Sequence, residues 1–245
     1  MNKHAVITGA SRGLGRALAT GLARAGYDIV IDARDGASLA EARTAISEHA
    51  PGSSVTAVQG DVTDPAHRDA LIEAAEGMAG LLINNAGTLG AAPLPALADY
   101  PVDDLRGTFE ANVIAPIALI QLFLPQLRAN GGAVLNVTSD AALAAYTGWG
   151  GYGAAKAGLE QASNVLAAEE TAVRVWWVDP GDLRTDMHQA AFPGEDISDR
   201  PLPESVVPAF LRLIAERLPS GRYRAGEIGD GGEAAGRVRG HDYAV

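Results

Sequence analysis

Short apolar runs alternate with longer segments of helical periodicity along most of the chain. Runs of strand length lie over 5–7, 27–34, 55–58, 81–83, 131–138 and 173–178. Helical patterns separate them, for example over 16–23 and 102–127. Strands that alternate with helices favour a parallel sheet with right-handed crossovers and helices on both faces. The pattern therefore predicts an α/β, doubly wound parallel sheet whose ligand lies at the carboxyl ends of the strands.

Length and composition fit one domain over residues 1–245. Of the 245 residues, 47% are hydrophobic and no tract is strongly biased, which allows a sizeable core. No run approaches the roughly 20 apolar residues that cross a membrane. The first four residues, Met-Asn-Lys-His, precede a strand and do not resemble a signal peptide. We therefore expect a cytoplasmic protein that does not span a membrane.

Charge and ligand-forming residues exclude several classes of function. The net charge of −11 disfavours nucleic acid and anionic membranes as partners. The chain has no cysteine, which excludes disulfides and thiolate metal sites. Its five histidines show no ligand spacing. We therefore expect no metal site.

A tyrosine and a lysine four residues apart carry the strongest chemical signal. Lys156 is one of only two lysines in the chain, and Tyr152 precedes it by four positions. On a helix this spacing puts both side chains on one face. The ammonium would then favour the phenolate and lower the pKa of the tyrosine. The pair is predicted to donate or accept a proton.

Ser139 lies thirteen residues before Tyr152, directly after the strand-like run 131–138. A strand followed by a loop and a helix returns the chain to the same edge of the sheet. Ser139 and Tyr152 can therefore converge on one small group, such as a carbonyl oxygen. The alternative is that Ser139 only caps or turns the end of the strand.

A glycine-rich turn joins the first strand-like run to a helical pattern. It reads Thr8-Gly9-Ala10-Ser11-Arg12-Gly13-Leu14-Gly15. Its glycines allow close approach to a diphosphate, and the amides at the helix start attract the anion. The spacing is not Gly-x-Gly-x-x-Gly, and no Gly-Lys-Ser/Thr follows as a phosphate-binding P-loop would require. An ATPase is therefore disfavoured.

Together these segments resemble the short-chain dehydrogenase/reductase family, in its compact single-domain form, from Thr8 to about residue 226. Besides the glycine turn, the motifs that carry the resemblance are Gly60-Asp61-Val62, Asn84-Asn85-Ala86-Gly87, Asn112, Ser139, Tyr152-Gly-Ala-Ala-Lys156 and Pro180-Gly181-Asp182-Leu183-Arg184-Thr185. The resemblance implies a Rossmann-like sheet of about seven strands in the order 3-2-1-4-5-6-7. It also implies hydride transfer between a nicotinamide cofactor and a small carbonyl or alcohol substrate.

The resemblance assigns catalytic roles to Asn112, Ser139, Tyr152 and Lys156. Tyr152 would exchange a proton with the substrate oxygen, and Ser139 would hydrogen-bond the same oxygen. Lys156 would hold the nicotinamide ribose and lower the pKa of Tyr152. Asn112, inside the helical pattern 102–127, would hold a water that links Lys156 to solvent.

The implied cofactor contacts are spread over the glycine turn and the later motifs. They are Gly9, Ser11, Arg12, Gly13, Leu14, Gly15, Arg34, Asp61, Val62, Asn85, Ala86, Gly87, Tyr152, Lys156, Pro180, Gly181, Leu183 and Thr185. Turn formation alone is the alternative for the Asn, Asp, Gly and Pro residues among them.

The end of the second strand-like run distinguishes NAD from NADP. An NAD-binding member of the family is expected to carry an acid where Ala33 lies. Arg34 and Arg12 can instead pair with a 2′-phosphate. Asp32 leaves an alternative open, because a register shift of one residue would make it the ribose acceptor. NADP(H) is the predicted cofactor.

A long connection over 181–203 is predicted to form a lid, with a short helix over 187–192. The predicted substrate contacts are Tyr146, Trp149, Met187 and Phe192. The tail over 229–245 contains five glycines and no helical or strand pattern, so we expect it to be mobile. A homodimer or a homotetramer is expected.

Three functions fit these residues. The first is an NADPH-dependent carbonyl reductase or alcohol dehydrogenase. The second is a biosynthetic enzyme that uses the same tyrosine for epimerisation, dehydration or imine reduction. The third is a regulator that binds NADPH without chemistry. A regulator has no need of the positioned Ser139, Tyr152 and Lys156, which favours an enzyme.

Overall fold

The computed structural model describes residues 1–228, and the predicted mobile tail lies outside them. The strands are β1 His4–Ile7, β2 Asp28–Ala33, β3 Val55–Gln59, β4 Leu81–Asn84, β5 Ala133–Val137, β6 Arg174–Asp179 and β7 Gly221–Arg224. They form one parallel sheet in the order β3-β2-β1-β4-β5-β6-β7. The predicted Rossmann-like α/β fold and its strand order are confirmed.

Helices cover both faces of this sheet. They are α1 Gly13–Arg24, α2 Gly36–His49, α3 Pro65–Ala74, α4 Val102–Phe109, α5 Ala115–Ala129, α6 Gly150–Glu169, α7 Asp186–Ala191 and α8 Val207–Ala215. Side chains alternate along each strand, so Ile7 packs with the face of α1 and α8 while Val6 packs with the face of α3 and α5. Each face therefore has its own apolar core.

A long helical segment crosses one face of the sheet, as the pattern over 102–127 predicted. A π-helical turn, Glu110–Ile114, joins α4 to α5 within it. Among the described residues, the helical segment Val102–Ala129 is long enough and apolar enough to cross a membrane. This corrects the expectation that no segment of the chain would have that length and composition. Leu119, Phe123 and Leu127 on this helix are buried in the core. It is a core helix of the fold.

The predicted lid contains one short helix. α7 spans Asp186–Ala191, one residue earlier than predicted. No other helix or strand occurs between residues 181 and 202 in this described part of the chain. Arg184 ties the start of the connection to its end, because its backbone amide donates to Pro201 O at 2.8 Å.

Candidate active site

Tyr152 and Lys156 lie in the first half of α6, beside the carboxyl end of β5. Both are buried, with 8% and 4% of their surface exposed. The Lys156 Nζ atom lies 5.5 Å from the centre of the Tyr152 ring and donates to Val137 O at 2.9 Å. The spacing of four residues therefore does place the two side chains together.

Ser139 begins the turn that connects β5 to α6. Its hydroxyl accepts a hydrogen bond from the Ala141 amide at 3.1 Å and donates to Asp140 Oδ1 at 3.2 Å. A Cβ atom on Gly153 would lie 2.5 Å from Ala141 O, so the glycine after Tyr152 lets α6 approach this turn closely. Ser139 thus caps a turn, as the alternative held, and it also lines the same cleft as Tyr152.

Asn112 is fully buried within the π-helical turn. Its Nδ2 donates to Thr88 O at 2.8 Å and to Thr108 O at 2.9 Å, and its Oδ1 accepts from the Thr88 amide at 3.3 Å. A Cβ atom on Gly87 would lie 2.5 Å from Asn112 Oδ1 and 3.7 Å from Lys156 Nζ. Asn112 therefore holds the loop after β4 close to Lys156.

The pKa of Tyr152 is raised, not lowered as the sequence predicted. Burial is the largest cause, and the carboxylates of Asp179 and Asp140 add to it. Burial also lowers the pKa of Lys156 to about 8, against the opposing effect of Glu160. Tyr152 is accordingly protonated at neutral pH, the form that can donate a proton.

A cleft of about 1700 Å³ runs along the carboxyl ends of the strands. It exceeds the roughly 300–1,000 Å³ of a pocket for one drug-sized ligand. Most of the predicted cofactor residues line it: Gly9, Ser11, Arg12, Gly13, Leu14, Arg34, Asp61, Val62, Asn85, Ala86, Gly87, Tyr152, Lys156, Pro180, Gly181, Leu183 and Thr185. Gly15 lies behind them on α1, where a Cβ atom would collide with Gly9 O.

The glycine turn is held by its neighbours in the sheet. Gly9 has a φ of +67°, and a Cβ atom there would lie 2.9 Å from the Cα of Ala86. The Asn85 side chain donates to Thr8 O at 2.9 Å and to Gly9 O at 3.1 Å. The loop after β4 and the glycine turn therefore fix each other, and glycine is required at the point of contact.

Asp32, the alternative ribose acceptor, is engaged inside the protein. Its Oδ1 accepts the Gly9 amide at 2.6 Å, and its Oδ2 lies 2.9 Å from His67 Nε2. Asp32 is only 1% exposed, and burial raises the pKa of its carboxyl. Both carboxylate oxygens thus have protein partners.

The two predicted phosphate-binding arginines are exposed at the cleft. The Arg34 side chain is 77% exposed and lies 4.0 Å from Asp61 Oδ2. The Arg12 side chain is 72% exposed and lies 2.8 Å from Asp186 Oδ2 at the start of α7. Both guanidinium groups are therefore accessible to an anion in the cleft.

Aromatic side chains cluster beside Tyr152. The Trp149 ring meets the Tyr152 ring edge-on at 5.7 Å and the Phe192 ring at 5.9 Å. Trp149 and Met187 line the cleft, whereas Phe192 and Tyr146 do not. Tyr146 is half exposed and donates its hydroxyl to Asp140 Oδ2 at 2.9 Å. The substrate roles of these four residues stay predictions.

Sequence reasoning missed the charged residues that surround the predicted catalytic set: Asp140, Glu160, Asp179 and Arg222. A local signal existed for Glu160, because it follows Lys156 by four residues on the same helix. Asp140 follows Ser139 directly and Asp179 precedes Pro180, but nothing in the local sequence shows that their carboxylates approach Tyr152. Arg222 lies on β7 and has no local signal. His67, the partner of Asp32, was missed for the same reason.

Comparisons with known proteins agree with this geometry. Residues 3–196 match the family model for short chain dehydrogenases. The chain is 35% identical to sepiapterin reductase of Mus musculus over 199 residues, which cover 76% of each protein. It is also 35% identical to 1-deoxy-11-beta-hydroxypentalenate dehydrogenase of Streptomyces avermitilis over 190 residues, 75% of this chain and 69% of that protein. This chain belongs to the short-chain dehydrogenase/reductase family.

Solved structures of the family superpose closely. A short chain dehydrogenase of Shigella flexneri complexed with NADP is 26% identical, with a TM-score of 0.85 over 91% of this chain and 97% of that one. One from Escherichia coli complexed with NADPH is also 26% identical, with a TM-score of 0.84 over 91% of this chain and 96% of that one.

Proposed function

We infer that this protein is an NADP(H)-dependent oxidoreductase that transfers a hydride between nicotinamide and a carbonyl or alcohol substrate. The observation that carries this inference is the buried Tyr152 with Lys156 beside it, in a cleft that Ser139 also lines and that continues to the glycine turn. Membership in the family supports it, as do relatives named as a reductase and a dehydrogenase.

The residues present fit NADP. Gly9 lies against Ala86 and has no side chain, so the backbone of the glycine turn can approach a diphosphate at the start of α1. Arg12 and Arg34 would hold the 2′-phosphate, and the engagement of Asp32 by Gly9 and His67 removes it as a ribose acceptor. Two structural neighbours complexed with NADP or NADPH support the same cofactor. Bound NADPH would supply the hydride.

The side chains around Tyr152 divide the remaining work. Tyr152 donates its proton to the substrate oxygen during reduction and accepts it back during oxidation. Ser139 turns its hydroxyl from Asp140 to the same oxygen and stabilises the charge that develops there. Lys156 holds the nicotinamide ribose. Asn112 fixes the loop after β4 beside Lys156.

The connection over 181–203 acts as a lid in this proposal. Its helix α7 carries Met187 into the cleft wall, and Asp186 at the start of α7 binds Arg12 of the glycine turn. Closure over a bound cofactor would exclude water from the reacting groups. As part of the same proposal, residues 1–245 form one domain, and the enzyme works in the cytoplasm as a homodimer or homotetramer.

A panel of aldehydes, ketones, diketones and quinones, each with NADPH, tests the proposal. We expect at least one compound to cause NADPH oxidation by the wild-type protein, with NADH as a weaker donor. Tyr152→Phe serves as the control for adventitious reduction, because it removes the proton donor and leaves the cleft intact. NADPH binding without oxidation by any compound of the panel would favour the regulator over the enzyme.

A further inference from the structure

Arg222 connects the edge strand β7 to the turn that carries Ser139. Its Nε donates to Glu160 Oε1 at 2.9 Å, and its Nη2 donates to Ser139 O at 3.3 Å. The same Nη2 lies 3.6 Å from Asp179 Oδ2. Only 14% of the Arg222 side chain is exposed. One guanidinium therefore joins β7, α6 and the segments that follow β5 and end β6.

Glu160 lies one helical turn after Lys156 on α6. Its Oε1 accepts a second hydrogen bond, from Thr138 Oγ1 at 2.8 Å, and its side chain is 10% exposed. A buried carboxylate is costly without a cation and hydrogen-bond donors. Arg222 and Thr138 provide both for Glu160.

We propose that Arg222 and Glu160 are positioning residues of the active site, which fix the backbone of Ser139 and balance the charge of Lys156. Neither residue has to touch substrate or cofactor to do so. The catalytic meaning of this inference rests on the proposed function, whereas the contacts themselves do not.

The charges that act on the Tyr152–Lys156 pair, and the arginines that pair with those charges, come from several elements. Glu160 lies on α6, Asp140 follows β5, Asp179 ends β6, and Arg222 and Arg224 lie on β7. The π-helical turn contributes the neutral Asn112. Arg222 compensates both Glu160 and Asp179. Arg224 is a different case, because its half-exposed side chain lies 3.5 Å from Asp179 and 3.8 Å from Glu227.

Removal of the charge of Glu160 and removal of the charge of Arg222 should shift the pKa of Lys156 in opposite directions. Glu160→Gln removes a negative charge next to Lys156 and disfavours its ammonium form. Arg222→Gln removes a positive charge and leaves Glu160 free to favour the ammonium. We expect the pKa of Lys156 to fall by about one unit in the first variant and to rise by about one unit in the second.

Nuclear magnetic resonance of carbon-13-labelled lysine measures this directly, because the chain has only two lysines. Lys3 is an internal reference, since its ammonium donates to Ala25 O on the surface and its signal should be the same in all variants. The experiment uses the full chain without substrate or turnover. A failed search for a substrate would therefore leave its result intact.

The proposal is supported if the pKa of Lys156 shifts in opposite directions in Glu160→Gln and Arg222→Gln. In the double variant, this pKa should return towards the wild-type value. Arg224→Gln is the matched control from the same strand and should shift the pKa of Lys156 less than Arg222→Gln does. If the two residues had only a structural role, either substitution would loosen the site and admit water, and the pKa of Lys156 would rise in both variants. That result, or an unchanged pKa of Lys156 in either variant, would overturn the proposal. If Arg222→Gln does not fold, the direction of the Lys156 pKa shift in Glu160→Gln decides alone.

Discussion

The two ends of the cleft are built differently. At the cofactor end, the Gly9 amide binds the buried Asp32, which His67 holds from the other side. At the other end, where we propose that the substrate binds, the wall consists of side chains on connections: Met187 is 39% exposed and lies on a helix of only six residues. Backbone contacts thus fix the end that binds a constant cofactor. Loops form the proposed substrate end, and recognition residues are concentrated on loops.

Between these ends lies Tyr152, the group on which we expect turnover to depend most. Tyr152→Phe removes the proton donor and keeps the ring against Trp149. We expect turnover to fall about 10²- to 10⁴-fold, with little change in NADPH affinity. Steady-state kinetics and a fluorescence titration of NADPH measure the two effects. Tyr146→Phe is the control and should stay active; if Tyr152→Phe retains most of its activity instead, Tyr146 becomes the candidate donor.

Burial of the Lys156 ammonium lowers the stability of the folded protein. Its pKa is about 8 in the folded protein against an ordinary 10.5. Between these values the unfolded chain holds a proton that the folded protein has released, so stability rises with pH across this window. Below it, burial of the ammonium costs about 3 kcal/mol.

Urea unfolding of wild-type protein and Lys156→Met should show this cost. The variant is expected to gain stability relative to wild type near pH 7, offset in part by loss of the bond to Val137 O. The gain should shrink as the pH rises from about 8 towards 10.5. Lys3→Met should show no such trend. A difference between wild type and Lys156→Met that does not vary with pH would contradict the lowered pKa.

The cofactor end should discriminate between NADPH and NADH through its arginines. Arg34→Ala removes a guanidinium from the proposed phosphate site, and a hydrogen bond to a charged group contributes about 1.5–3 kcal/mol. We expect NADPH to bind about 10- to 100-fold more weakly, with NADH unaffected. Arg106→Ala, which changes an exposed arginine paired with Asp103, is the control. Equal affinity of the wild-type protein for both cofactors would refute the assignment.

The substrate wall should show a smaller effect. Trp149→Ala removes the ring that contacts Tyr152 and Phe192. Aromatic pairs contribute about 0.5–1.5 kcal/mol, so we expect KM for a carbonyl substrate to rise about 3- to 10-fold. NADPH affinity should not change, because Trp149 lies at the other end of the cleft from Arg34. Unchanged kinetics would remove Trp149 from the substrate site.

The sequence predicted the fold better than the electrostatics of the site. The strands β1 to β6 each fall on an apolar run, but β7 reads Gly-Arg-Tyr-Arg and has no such pattern. Arg222 can occupy this strand because Glu160 and Asp179 compensate its charge, and these lie far away in the sequence.

The site residues show the same limit. The spacing of Tyr152 and Lys156 correctly placed both on one face of α6, yet the expected direction of the Tyr152 pKa was wrong. Burial and the approach of Asp179 and Asp140 decide that direction, and neither is visible in local spacing. Asp32 is a similar case, because its orientation depends on His67, which lies 35 residues later.

Transfer of deuterium from labelled NADPH tests the central claim most directly. With NADPH deuterated at the transferring position of the nicotinamide and a carbonyl compound that the panel identifies, the alcohol product is analysed by mass spectrometry and proton magnetic resonance. We predict one deuterium on the carbinol carbon, with a single stereochemistry, and product formation that nearly disappears in Tyr152→Phe. An alcohol without deuterium, or equal labelling by Tyr152→Phe, would contradict the account.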